Sequence, residues 1–445
     1  MQNKATKKLG DIAEFINGGA WNQTEYADAG IPVVRVSDIH DSTVSLSGCK
    51  YLPQSAYAKY AKHELREGDL VICTVGSHPT QPNSVVGRPG IMSKSCEGAL
   101  LNQNAVCVRP LNESLDKTWL GYFARSRVMK DYIIAHARGS ANQVRVAIGS
   151  LKDMDVLLPS IEEQKKVADV LVAYDRLIEN NTRRIKILEE MAQAIYREWF
   201  VNFRFPRHEK VKMVDSPLGP IPEGWEVKAI GDILEHSIGG GWGKEGPDDK
   251  HVMPANVIRG TDIPGAKVGK IDGVPFRYHT ASNLKNRRLR PGDLIFEVSG
   301  GSKDQPVGRA LLVNEKLLNA LDNDVICASF CKLVRPSLGS ISSYQVYLHL
   351  EEIYSDRRIM QYQTQSTGIS NLKFSVFSER ESLLVPTPDV RKAFDLQMKA
   401  FFDQIANLGE RNRNLRLTCD LLLPKLISSE LDISVLDIAT GQETA

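Results

Sequence analysis

The chain has 445 residues, of which 42% are apolar, 25% charged and 7% aromatic, a globular composition long enough for two or three domains. Lys and Arg number 56 against 54 Asp and Glu, so the net charge of +2 excludes a strongly basic nucleic-acid-binding tail and leaves only local patches for such a role. Apolar stretches break off before the roughly 18 residues that a membrane span needs, and the seven cysteines scatter from Cys49 to Cys419 without a disulfide framework, so a soluble, cytoplasmic protein without a membrane partner is expected.

In chain order, Ile31 to Val36 and Asp69 to Val75 are β-branched runs bounded by Gly, Asp and Pro, the pattern of short strands. Mixed apolar and charged spacing between Asp116 and Ala137 predicts one or two helices. From Val167 the apolar positions step by four and three through Leu171, Tyr174, Ile178, Asn181, Ile185, Leu188, Ala192 and Ile195 to Trp199. That is a heptad seam, and a helix of this extent is roughly 50 Å long at about 1.5 Å per residue. The Pro-rich segment Arg204 to Gly224 reads as a stiff connection. Strands are again expected over Val252 to Ile258 and Asp293 to Val298, and helices between Ser342 and Gln363. A second seam then runs through Phe394, Met398, Phe401, Ile405, Leu408, Asn412, Leu415, Cys419 and Leu422 to Leu426, with Pro424 expected to end or kink the rod. The heptad period asks for a shallow left-handed partner helix, and each rod is the other's most available partner, with Asn181 and Asn412 read as register pins.

The two halves repeat one another in order. Gly10-Asp11-Ile12 recurs as Gly231-Asp232-Ile233, and Gly18-Gly19-Ala20-Trp21 as Gly239-Gly240-Gly241-Trp242. Arg35-Val36-Ser37-Asp38-Ile39 is echoed by Arg259-Gly260-Thr261-Asp262-Ile263, and Arg66-Glu67-Gly68-Asp69-Leu70 by Arg290-Pro291-Gly292-Asp293-Leu294. Val86-Gly87-Arg88 matches Val307-Gly308-Arg309, and Val108-Arg109-Pro110 matches Val334-Arg335-Pro336. The fold class expected is therefore α+β: two duplicated α+β domains with two long coiled-coil helices. The boundaries expected are 1–159 and 205–386 for the domains with the connection, 160–204 and 387–430 for the helical spacers, and 431–445 for a tail.

Catalytic signatures are missing. Ile238 to Glu245 is Gly-rich, but Ile238 stands where a phosphate loop needs its first Gly and Glu245 where it needs Ser or Thr. Cys327 and Cys331 lack a partner pair at zinc spacing, and Pro247-Asp248-Asp249-Lys250 reads as an exposed turn rather than part of a nuclease. No Asn-Pro-Pro-Tyr or Asp-Pro-Pro-Tyr tetrapeptide of amino-methyltransferases occurs. Duplicated modules without a catalytic set point to a reader, with a repeat-built protein scaffold as the competing class.

Local charge supports the reader. Arg125, Arg127, Lys130, Arg138, Arg145 and Lys152 stand against one acid, Asp131, and Lys267, Lys270, Arg277, Lys285, Arg287, Arg288 and Arg290 against Asp272. A basic patch in each repeat suits phosphate contacts. Polar loops lie beside them, and Asn, Gln and Arg pair with base edges in the major groove. In the first module the candidates for DNA contact are Ser77, His78, Arg88, Arg138, Ser140, Asn142, Gln143 and Arg145. In the second they are Trp242, Lys244, Arg259, Ser302, Lys303, Arg309, Gln365 and Thr367.

The order globule, heptad rod, globule, heptad rod resembles the specificity subunit of type I restriction-modification enzymes over essentially the whole chain. Similar motifs are Lys8-Leu9-Gly10-Asp11-Ile12, Arg66-Glu67-Gly68-Asp69-Leu70 and Leu157-Leu158-Pro159-Ser160-Ile161-Glu162-Glu163-Gln164-Lys165-Lys166. The second copy departs from the last of these, with Pro386-Thr387-Pro388-Asp389-Val390-Arg391-Lys392 where Glu-Gln would stand. The resemblance implies a non-catalytic subunit in which each module reads half of a bipartite site on double-stranded DNA. It further implies that two modification subunits dock on the helices, where Leu171, Ile178, Asn181, Ile185, Leu188, Met398, Ile405, Asn412 and Leu415 form the seam, and that restriction subunits join the complex. S-adenosylmethionine, ATP and Mg2+ are then expected in those partners and no cofactor in this chain.

Overall fold

A computed structural model describes residues 5–40, 42–80, 84–139, 143–301, 305–366, 369–428 and 430–431. The chain divides into two units, Met1–Asp175 with Leu417–Ala445, and Arg176–Arg416. Among the described residues no helix is long and apolar enough to cross a membrane.

In the first unit Ala105–Pro110 is the inner strand of a six-stranded sheet, antiparallel to Ala13–Asn17 on one side and to Leu70–Cys73 (β1) on the other. All four residues of β1 are buried, which explains a β-branched run without alternation. A three-stranded sheet, Leu100–Leu101, Ile31–Val34 and Lys50–Leu52, stands beside it. Helices Lys117–Arg125 and Arg127–His136 cover the core with Trp119 and Phe123, whose rings stack at 5.3 Å. Asp116 caps the first by accepting from Thr118 and Trp119 N–H, and Ser126 caps the second. Ala5–Lys8 pairs with Asp155–Leu158, so the module's first and last strands close on each other.

The second unit repeats this plan, with Leu234–Gly239, Cys331–Pro336, Leu294–Glu297 and Ala310–Leu312 in one sheet and Phe276–His279, Met253–Ile258 and Asp324–Cys327 in another. Glu226–Ala229 pairs with Ser382–Val385 as the closing strands. The repeated sequence blocks prove to be one structural device. In Arg66 to Leu70 the carboxylate of Asp69 accepts the Arg66 N–H across a turn with Gly68 at φ +84°, and Asp293 does the same for Arg290 with Gly292 at φ +90°. The Val-Arg-Pro blocks supply the cations, Arg109 to Asp69 at 2.6 Å and Arg335 to Asp293 at 2.7 Å, both acids being almost wholly buried. Gly18 and Gly19 donate to the carbonyls of Ala105 and Leu101, as Gly240 and Gly241 donate to those of Cys331 and Cys327. Gly18 therefore corresponds to Gly240 rather than Gly239, and Trp21 and Trp242 are not equivalent. A Cβ at Gly18 would lie 1.9 Å from the Asn102 carbonyl, and one at Gly240 2.1 Å from that of Ala328, which is why only Gly fits.

Both heptad seams are helices of 40 residues, Ile161–Phe200 (α1) and Pro388–Ile427 (α2). In the first unit Val167 and Leu171 share a buried cluster with Leu426. In the second, Thr182 meets Asn412 while Trp199 meets Phe394, so the two segments run antiparallel there. Ile185, Ala192, Met398, Ile405 and Leu408 are buried, whereas Ile178, Leu188 and Leu415 are half-buried. Of the two seam asparagines, Asn412 is fully buried and donates to Thr182 Oγ1 of α1 and to the Val268 carbonyl, and Asn181 is half-buried. Pro424 does not stop α2, because burial of Leu426 and Ile427 holds one further turn, closed by Ser428 N–H on the Pro424 carbonyl. Nor is the Pro-rich connection a bare spacer. Phe205, Ile221 and Trp225 enter the second unit's core, and Met213–Val214 pairs with Ile221–Pro222.

Candidate nucleic-acid interface

Beyond Thr74, strand β1 continues as Val75–Gly76 (β2), which pairs antiparallel with Val144–Arg145 (β3). Val146 N–H donates to the Thr74 carbonyl, while Arg138 and Arg145 exchange backbone bonds at 3.0 and 2.8 Å. Residues 138–139 and 143–145 thus lie paired beside the point at Ser77 where the chain leaves β2. Arg138, Gln143 and Arg145 are exposed there, and His78 Nδ1 lies 2.8 Å from Thr80 Oγ1 in the neighbouring loop. Two guanidinium-bearing residues opposite each other on paired strands repel. Among the described residues no carboxylate pairs with either arginine. The Arg138 guanidinium donates to the Ala135 and Ala137 carbonyls, at the end of helix Arg127–His136. The arrangement is a cationic edge with short polar groups, suited to an anionic backbone.

The second unit builds the same place differently. Leu294–Glu297 (β4) continues past Val298 as Ser299–Gly300 (β5), which pairs with Ile369–Leu372 (β7), itself hairpin-paired to Gln363–Ser366 (β6). Leu372 N–H donates to the Val298 carbonyl as Val146 does to Thr74. Gln365 is exposed on this hairpin, and Ser299 Oγ donates to Asn371 Oδ1 at 2.7 Å. Ser140, Asn142, Ser302, Lys303 and Thr367 lie outside the described residues.

Three of the candidate arginines are engaged internally. Arg259 forms a two-point pair with Asp262 and reaches the Gly273 carbonyl, as Arg35 does with Asp38 in the first module. Arg309 pairs at two points with Glu297, which is 2% exposed. Arg88 donates to the Ile39 and Ser84 carbonyls from a half-buried position. These side chains hold the modules together; the repeated blocks that made them conspicuous are folding devices. The second linear basic patch also disperses. Lys267 pairs with Glu351, Arg288 with Asp324, Arg277 with Glu245, and Arg287 donates to the Gly239 carbonyl. The first patch keeps Arg138 and Arg145, whereas Arg125 pairs with Asp175.

A separate group was not legible as such in the sequence. The Arg277 guanidinium lies 4.9 Å over the exposed ring of Trp242, beside exposed Phe276, with Lys244 held by Asp248 at 2.5 Å. Strand alternation places Phe276 outward, a signal present in the run Phe276-Arg277-Tyr278-His279. Exposed aromatics with cations suit base or sugar stacking. Among the described residues no group of His, Cys, Asp and Glu could hold a metal ion. Cys73 and Cys327 are buried thiols whose pKa burial pushes up to about 12, far from a reactive thiolate.

Residues 1–190 match the family described as Type I restriction modification DNA specificity domain. The MjaIX type I specificity subunit of Methanocaldococcus jannaschii is 24% identical over 97% of this chain and 94% of its own. The HindI type I specificity subunit of Haemophilus influenzae is 21% identical over 87% of this chain and 90% of its own. A crystal structure of the type I S subunit from M. genitalium aligns over 96% of this chain and 97% of that one, with a TM-score of 0.48 and 12% identity. The first module is thus a DNA specificity domain, and the fold builds that plan twice. Residues 1–190 thus match a type I DNA specificity domain, and proteins named as type I specificity subunits are similar to this chain over most of its length.

Proposed function

We propose that each module reads one half of a bipartite, asymmetric site on double-stranded DNA and that the chain carries no catalysis of its own. Modules 1–159 and 205–386 are the target readers, 160–204 and 387–430 the helical spacers, and 431–445 a tail. The observation that carries this reading is the duplicated edge: in both units a strand leaving the core sheet pairs with a projecting segment that exposes long hydrogen-bonding side chains, Arg138, Gln143 and Arg145 in one and Gln365 in the other. Arg138 and Arg145 contact phosphates, and Gln143, His78 and Gln365 stand where base edges would come. Trp242 and Lys244, with Arg277, extend the second surface. The helices dock two modification subunits, to which restriction subunits add. S-adenosylmethionine, ATP and Mg2+ belong to those partners, in the cytoplasm.

The test is co-expression with the modification subunit of the same operon in a methylation-free host, followed by sequencing for N6-methyladenine. A two-part asymmetric motif that depends on this chain is the expected result. Complex formation without methylation, or no complex at all, would favour a protein scaffold.

A further inference from the structure

In the second unit one short segment of the module touches both long helices. Val268 packs against Ile185 of α1 and Ile405 and Leu408 of α2. Its carbonyl accepts from Asn412 Nδ2 at 3.4 Å and Arg416 Nη1 at 3.2 Å, and the same Asn412 amide donates to Thr182 Oγ1 of α1 at 3.2 Å. The next residue, Gly269, has φ +76°, and a Cβ there would lie 1.9 Å from the Gly409 carbonyl of α2, so the two backbones meet without side chains between them. Lys267 anchors the other end on Glu351 at 2.8 Å and over the Tyr347 ring. Beside this contact a solvent-open cleft of about 950 Å³, lined by Leu317, Tyr344, Phe402 and Gly409 among others, separates the module from α2. Apolar packing is therefore incomplete on that flank, and a void contributes no attraction. The polar contact at 267–269 has to supply what packing does not.

We propose that Asn412, with Gly269, is a positioning lock: it fixes the angle at which the second module sits on the helix pair of its unit, and so the spacing at which that module's half-site is accepted. The proposal rests on the DNA reading above. A buried polar seam residue that ties a third element explains why the seam carries Asn at 412, where an apolar residue would pack more tightly. Among the described residues its Oδ1 is buried without a partner, a cost that a purely structural seam would avoid.

The test uses the full chain in complex with its modification subunits, in three forms: unchanged, Gly269→Ala and Asn412→Leu. Gly269→Ala forces the backbones apart, and Asn412→Leu suits the seam but removes one of the two donors to the Val268 carbonyl and the bond to Thr182, so it remains informative if the first fails to fold. The N–H groups of Val268, Gly269 and Lys270, bonded to the Gly265 and Ala266 carbonyls, report the lock by hydrogen exchange. Loss of one such contact should speed their exchange about tenfold while the helices stay protected. The methylated motif should keep the bases of both halves and spread to spacers one base pair longer and shorter. Unchanged exchange in both variants overturns the lock, and so does faster exchange through the whole chain. Faster local exchange with a single fixed spacer overturns its positioning role. If the unchanged chain directs no two-part methylation, the DNA reading fails and takes the spacing role with it, while the exchange result still decides the lock.

Discussion

The arginines of this chain divide by what lies opposite them. Arg309 faces Glu297 and Arg335 faces Asp293, both acids at 2% exposure, so removing either cation strands a buried carboxylate. Arg309→Ala should cost about 3–5 kcal/mol, seen as a large fall in the thermal midpoint. Arg138→Ala or Arg145→Ala should leave the midpoint unchanged, weaken DNA binding on any sequence, and reduce the salt slope of binding by about one. A salt slope equal to that of the unchanged chain would remove these two from the interface. Buried Glu381 gives a pH prediction. Its carboxylate accepts from Tyr362 Oη at 2.7 Å and His349 Nε2 at 3.1 Å, and His349 Nδ1 accepts from Tyr196 of α1 at 2.8 Å. Burial alone would raise its pKa, but the His349 and Tyr362 donors and the Arg358 charge outweigh burial and hold it below the ordinary 4.5. A lowered pKa contributes stability that is present above 4.5 and lost as pH falls through the lowered value. Glu381→Gln should therefore flatten the acid limb of the unfolding midpoint against pH; an unaltered limb would assign acid lability elsewhere.

At the scale of elements, the helices hold because the seam is buried where the modules also press on it. Ile185 and Leu408 are each 1% exposed, whereas Leu188 and Leu415 are half-buried. Ile185→Asp places a charge in an apolar cluster and should abolish the folded helix pair and subunit docking together, by circular dichroism and co-purification. Leu188→Asp should act in the same direction but less strongly, in proportion to the surface it buries. Wild-type assembly of the Ile185 variant would remove the seam as the basis of docking. The two modules hold their helices by different chemistry. In the first, Tyr122 Oη and Arg125 both bond Asp175 of α1, at 2.7 and 2.9 Å. In the second, Phe402 of α2 stacks on Tyr344 at 5.0 Å and the 267–269 segment adds its polar contact.

For the whole molecule, duplication means that specificity should be separable. Exchanging residues 1–158 for those of a relative should change one half of the methylated motif and leave the other half intact. A change in both halves would show that the modules do not read independently.

How much of this is legible before folding follows from range. Heptad spacing is a local, periodic property, and burial of the seam is enough to realise it, so both helices, the duplication and the α+β modules stand in the sequence. The family resemblance rests on the same blocks. Side-chain employment is not local. Arg309 and Arg138 look alike in sequence, yet one closes on Glu297, 12 residues away along the chain, while among the described residues no carboxylate pairs with the other. Likewise Asn412 reads as a helix–helix pin, and its bond to Thr182 joins the two helices, but its second partner, Val268, belongs to the module and lies 144 residues away along the chain. Which cations remain free for phosphate, and which polar groups lock a module in place, depends on strand pairing and on what each turn brings opposite. Only the tertiary structure decides that, because a charge is silenced or left available by its neighbour in space.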